Sequence, residues 1–180
     1  MINNTNKEWN SCAKLANNES FDEANKKYKE LLSEGKDPFD YMLNMQYDLQ
    51  LALHKRLPEQ VLNVQDLDTL GNKYDWLRDN KIAADDEFSE LIDALPGISK
   101  MDAKDRTSLW KAWKGKRNEV RAMKFSELSY EDQIEAKYEA IDALHFWMNQ
   151  LIAMELDGES IFKLYYTKNA ENHRRAKNGY

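Results

Sequence analysis

Residues 87–97 read Glu-Phe-Ser-Glu-Leu-Ile-Asp-Ala-Leu-Pro-Gly. Phe88, Leu91, Ile92 and Leu95 fall at i, i+3, i+4 and i+7, which places them on one face of an amphipathic helix. Pro96-Gly97 predicts its stop. On the same stretch Glu87 and Glu90 stand three apart, so a helix makes them neighbours. This run combines the period that decides the fold class with the first residues that could carry chemistry.

Working outward, the same period recurs on both sides. Ser20 with Glu23 forms a capping-box pattern ahead of Phe21, Ala24, Tyr28 and Leu31, and Ser33-Glu34-Gly35 closes that helix. Asp37-Pro38 suits the cap and first turn of a second helix, with an apolar stripe of Met42, Met45, Leu49, Ala52 and Leu53 running to Pro58, flanked by Gln46 and Gln50. A weaker helical segment around Val64, Leu67, Leu70, Tyr74 and Leu77 precedes the acidic start at Asp85-Asp86. Between Ile98 and Ser129 a basic stretch with Trp110 and Trp113 has no clean period and reads as a short helix plus loop. Ser129 with Asp132 opens what should be the longest helix, Tyr130 to about Leu156, stopped at Asp157-Gly158. A last helix is expected from about Glu159 to Ala176. No segment alternates like a strand and no repeat or linker divides the chain. The expectation is an all-α, single-domain helical bundle over residues 1–180 with a peripheral N-terminal segment at about 1–36.

Composition agrees. A chain of 180 residues with 42% hydrophobic content and only six Gly and three Pro can bury a core and favours helices over short strands. The net charge of -6 argues against a nucleic-acid polymer as partner. Cys12 is the only cysteine, so neither an internal disulfide nor a thiolate zinc site is expected. The polar N-terminus lacks a signal sequence, and the uncharged run Ala143–Met154 is well short of the roughly 20 residues needed to span a bilayer. It reads as a core helix in a cytoplasmic protein.

Glu139 and Asp142 repeat the spacing of Glu87 and Glu90 on a second helix. Acidic pairs of this kind occur on many solvated helices. Asp142, however, leads into the apolar Ala-Leu-His-Phe-Trp-Met run, where a carboxylate needs a partner, a salt bridge or a cation. His145, three residues on, reads as a hydrogen-bonded core histidine. Two acidic pairs facing across a bundle would supply oxygen donors suited to a hard cation, and Mg²⁺ fits better than zinc or a di-iron centre. The C-terminal segment is locally basic. Lys168, Asn172 and Arg175 fall at i, i+4 and i+7 on one face, arranged either to grip a polyphosphate or to balance a helix dipole.

Met42-Leu43-Asn44-Met45-Gln46, Glu87–Asp93, Trp110–Lys114, Glu139–Phe146 and the segment from Lys168 to Tyr180 occur in an order that resembles the dimeric dUTPase family of all-α nucleotide pyrophosphatases, closest to its short phage-type dCTP/dUTP pyrophosphatases. The resemblance implies Mg²⁺-dependent cleavage of dUTP or dCTP into the monophosphate and pyrophosphate, by a homodimer that needs no nucleic acid or membrane. It implies that Glu87, Glu90, Glu139 and Asp142 bind Mg²⁺, with Mn²⁺ as a substitute, and that Glu87 or Glu90 serves as catalytic base. Lys168, Asn169, Asn172, Arg175 and Lys177 match the phosphate-binding tail, Gln46 the base-reading position, and Trp113 and Phe146 aromatic contacts to sugar or base. The direct link at Asp157-Gly158 departs from the longer family enzymes, which carry an extra helical segment there. Two rivals stand beside this reading: a broader MazG-like triphosphate pyrophosphatase, and a non-catalytic helical interaction protein.

Overall fold

The structure is a computed structural model that describes residues 18–95 and 117–178. Among these residues there are six α-helices and no strand, as the periodicity predicts: α1 Asn18–Ser33, α2 Pro38–Arg56, α3 Leu70–Ala94, α4 Arg117–Ala122, α5 Tyr130–Ala153 and α6 Gly158–Asn178. Cys12, Pro96-Gly97 and the Trp110–Lys114 segment lie outside the described residues.

Helix ends follow local chemistry. The Asp37 side chain accepts from Phe39 N at 2.8 Å and Pro38 takes the first helical position of α2, so an orphan amide is satisfied and the missing proline donor is harmless. Gly35, at φ +68°, lets α1 close with Lys36 N donating to Leu31 O at 2.9 Å. Ser129 caps α5: its Oγ accepts from Asp132 N at 3.2 Å and donates to the Asp132 carboxylate at 2.6 Å. Beyond α5 it is Glu155, at φ +58°, that takes the left-handed position, with Leu156 N donating back to Leu151 O. Asp157 then caps α6 through Ser160 N at 2.8 Å. Gly158 is needed for close approach: its N–H donates to Asp40 Oδ1 at 2.6 Å, and a Cβ there would lie 3.0 Å from both Asp37 Oδ2 and Asp40 Oδ1.

Four expectations are corrected. The chain is already helical at Asn18, so Ser20 lies inside α1 and does not cap it. Residues 70–94 form one 25-residue helix, and Asp85-Asp86 lie in its interior; among the described helices α3, not α5, is the longest. The stripe of α2 is displaced: Leu43, Gln46 and Gln50 are buried, while Met42, Met45, Leu49 and Ala52 are exposed. Finally, α5 is not apolar core throughout, since Met148, Asn149 and Ala153 are buried but His145 and Trp147, and Met154 just past its end, are exposed.

The contacts divide the chain into two compact units, Met1–Lys26 with Ala84–Leu144, and Lys27–Ala83 with His145–Tyr180. In the second, Val64, Leu67, Trp76 and Ala153 form a core with Tyr47, Leu51, Leu62, Leu77 and Ile152 packed around it. Lys73 Nζ donates to the terminal carbonyl of Ala153 at 2.8 Å and to Glu155 at 2.5 Å, which supplies a partner for an otherwise orphan helix end. In the first, Ala94, Ile134 and Ala136 are buried together with the capped Asp132. The acidic pairs belong to this first unit.

Candidate active site

The C-terminal third of α3 carries Glu87, and the middle of α5 carries Glu139 and Asp142. One carboxylate oxygen from each of these three lies within 4.8 Å of the other two, and all three side chains are half-buried. The i, i+3 spacing on α5 puts Glu139 and Asp142 on one face, and the pairing of α3 with α5 inside the first unit brings Glu87 to them. Glu90, one turn beyond Glu87, is exposed and stands outside this group of three. It is nevertheless near enough that its charge raises the pKa of both Glu87 and Glu139.

Electrostatics set the character of the cluster. Burial first, and then the charges of Glu90, Glu135, Asp142 and Glu87, push Glu139 up to about 7. Burial and the charges of Glu90, Asp142 and Asp86 likewise raise Glu87. Carboxylates crowded this way hold protons that isolated groups would have lost, and a divalent cation relieves the same repulsion. The donor set fits Mg²⁺. All of its atoms are hard oxygens, and an octahedral ion with bonds of about 2.1 Å needs ligand oxygens roughly 3–4 Å apart, so a small closure of this group suffices.

The remaining sequence candidates lie in the second unit or outside the described residues. Lys168, Asn169, Asn172, Arg175 and Lys177 are all exposed on α6. Arg175 Nε donates to Glu171 at 2.8 Å, and Arg174 forms a two-pronged pair with the same carboxylate. Exposed pairs of this sort are worth about 0–1 kcal/mol. Phe146 is half-buried on α5. Trp113 lies outside the described residues.

Gln46 is only 4% exposed, and its Nε2 donates to Asn149 Oδ1 at 2.9 Å. Asn149, 1% exposed, in turn donates from Nδ2 to Asn80 Oδ1 at 2.7 Å and accepts from Trp76 Nε1 on its backbone carbonyl at 2.9 Å. Gln46 is a candidate from the sequence, whereas its pairing with Asn149 and the anchoring by Asn80 and Trp76 are visible only in the fold. A signal was present: Asn149 lies in the uncharged Ala143–Met154 run, where a buried amide must find a partner.

Set against known proteins, the chain is 42% identical over 172 residues to the dCTP pyrophosphatase of Enterobacteria phage LZ5, covering 96% of this chain and 98% of that protein. It is 38% identical over 172 residues to the dCTP pyrophosphatase of Enterobacteria phage T4, with the same coverage. A third relative, a DNA replication protein of phage T4, is 38% identical over 161 residues, which make up 89% of this chain and 40% of that longer protein. No family model matches the chain, and no solved structure matches it significantly.

Proposed function

Because the chain belongs to the family of the phage dCTP pyrophosphatases, we propose that it hydrolyses dCTP to dCMP and pyrophosphate with Mg²⁺, and that dUTP is admitted as a second deoxypyrimidine substrate. The observation that carries this reading is the convergence of Glu87, Glu139 and Asp142 from two helices onto a space the size of one cation. A solvated acidic helix face would spread its charges, whereas these crowd together, and burial with the neighbouring charges raises the pKa values of Glu87 and Glu139.

In this proposal Glu87, Glu139 and Asp142 hold the metal. When bound, Mg²⁺ supplies charge neutralisation on the triphosphate and a Lewis acid beside the α-phosphorus. Glu90, exposed and outside the group of three, is assigned to take a proton from the attacking water. Lys168, Asn169, Asn172, Arg175 and Lys177 are assigned to the polyphosphate, where Arg175 would exchange Glu171 for a phosphate oxygen. Gln46 is assigned to the base, with Trp113 and Phe146 against sugar or base.

A homodimer is part of the same reading. Met42, Met45 and Leu49 make an exposed apolar stripe at i, i+3 and i+7 on α2, 38%, 57% and 45% exposed, that a second copy would cover. Among the described residues no helix is long and apolar enough to cross a membrane. A cytoplasmic setting, with activity within the host cell, is a separate part of the proposal.

A panel assay tests the activity. The purified chain with Mg²⁺ is given dCTP, dUTP, dTTP, dATP and the ribonucleotides, and monophosphate and pyrophosphate are measured separately. dCTP and dUTP should each give equal amounts of the two products. Release of orthophosphate would refute cleavage at the α-phosphorus, and equal use of all triphosphates would favour the MazG-like rival.

A further inference from the structure

A backbone carbonyl can only accept a hydrogen bond, so a chain of amides that ends on one has a fixed direction. Asn80 Nδ2 donates to Trp76 O at 2.9 Å. With its nitrogen so engaged, Asn80 turns Oδ1 toward Asn149, whose Nδ2 donates to it at 2.7 Å. Asn149 therefore presents Oδ1 to Gln46, whose Nε2 donates at 2.9 Å. The indole of Trp76 holds the backbone of Asn149 in place through its own donation at 2.9 Å. Turning any one amide over would set oxygen against oxygen or nitrogen against nitrogen at the next link. The rotation that would let a free glutamine suit either pyrimidine is thus opposed by three residues.

At the open end of this chain, Gln46 Oε1 accepts no hydrogen bond from a described residue, although Gln46 is 4% exposed. A buried acceptor in this state is costly unless a ligand donates to it.

We propose that Asn149, anchored by Asn80 and Trp76, is a positioning residue that fixes the polarity of the Gln46 amide so that Oε1 accepts a hydrogen bond from the 4-amino group of cytosine. This rests on the assignment of Gln46 to the base made above. Cytosine brings a donor at ring position 4, whereas uracil has an acceptor there and its edge donor is N3–H. Uracil must shift by one ring position to serve the same oxygen, so the fixed amide is a specificity device that the sequence did not show.

The test compares dCTP with the deoxyriboside triphosphate of 2-pyrimidinone, which lacks only the 4-amino group, using the full chain and Mg²⁺. The wild type should prefer dCTP by about tenfold or more in kcat/KM, expressed mainly in KM. Asn80→Leu releases the polarity and should bring the ratio to within about threefold of one. Asn80→Asp gives up the donation to Trp76 O but still offers Asn149 Nδ2 an acceptor, so it should keep more of the preference than Asn80→Leu does. A merely structural role would move neither ratio. If Asn80→Leu fails to fold by circular dichroism, Asn80→Ala at this half-buried position takes its place. An Asn80→Leu or Asn80→Ala variant that keeps the wild-type ratio overturns the proposal. So does a wild type that cleaves both triphosphates equally well, an outcome that leaves the dCTP activity standing. If dCTP yields no dCMP and pyrophosphate at all, the functional reading falls and this inference with it.

Discussion

The carboxylate cluster and the amide chain are opposite solutions to placing polar groups inside a helical protein. Glu87, Glu139 and Asp142 are half-buried, like-charged and mutually unfavourable, with Glu139 pushed up to about 7. Gln46, Asn149 and Asn80 are neutral, and the first two are almost fully buried, with every link of the chain paired until the last oxygen. In the proposed function the first arrangement takes a cation, which would relieve the repulsion that raises Glu87 and Glu139. The second is built before any ligand arrives. The former is proposed to serve the chemistry, by holding an ion that would neutralise charge at the reacting phosphate. The latter is proposed to discriminate between bases, since an unpaired buried acceptor would reject a base that brings no donor.

The contrast breaks most sharply under substitution of the acids. Asp142→Asn or Glu139→Gln should lower kcat for dCTP by about two or more orders of magnitude, since a lost metal contact removes several kcal/mol of transition-state stabilisation. The helical circular-dichroism signal should persist. Retained activity would remove the residue from the site. Glu90→Gln should lose about 100-fold or more in kcat while binding Mn²⁺ as the wild type does, if it is the base and not a ligand. Loss of Mn²⁺ binding would instead make it a ligand.

The two regions should also separate by pH. A raised carboxylate pKa means that the folded protein keeps a proton which the unfolded chain has released. The resulting penalty grows as pH rises from 4.5 toward about 7 and is fully present above it. Glu139→Gln should therefore raise the melting midpoint of the metal-free protein at pH 8, with the gain fading toward pH 4.5. Added Mg²⁺ should stabilise the wild type more than this variant. The apparent Mg²⁺ affinity of the wild type, read by calorimetry, should fall as pH drops through about 7, because the ion must displace the proton. A flat profile from pH 6 to 8 would contradict the crowded-carboxylate account.

Disturbing the neutral region should have a smaller effect. Trp76→Phe deletes the donor to the Asn149 carbonyl and should cost about 1–2 kcal/mol in denaturant unfolding, with Mn²⁺ binding unchanged. An equal loss of Mn²⁺ affinity would show that the two regions are not separable in this way.

Much of this organisation was legible before the structure, and the failures have physical causes. The helical class followed from periodicity, and the caps at Asp37 and Ser129 from residue types whose side chains satisfy orphan amides. The acidic residues were found because helix spacing makes i and i+3 neighbours. Their grouping was not fully legible: the sequence put Glu90 on the same footing as Glu87, whereas in the fold it is exposed outside the group of three. On α2 hydrophobicity misled. Met42, Met45 and Leu49 were expected to face inward, but Gln46 and Gln50 are buried in their place. A buried glutamine makes sense only when its partner is known, and Asn149 lies 103 residues away. Long-range amide pairing leaves no period in a single sequence. The same limit hid the left-handed Glu155, since glycine at 158 drew attention to the wrong position for the turn.

The most direct measurement is a titration of Mn²⁺ followed by electron paramagnetic resonance, with the wild type beside the Glu139→Gln and Asp142→Asn variants at pH 8. The account predicts bound Mn²⁺ in the wild type, weakened in either variant by about tenfold or more. Equal binding by all three proteins would mean that Glu87, Glu139 and Asp142 do not share a cation, and the proposed active centre would be lost.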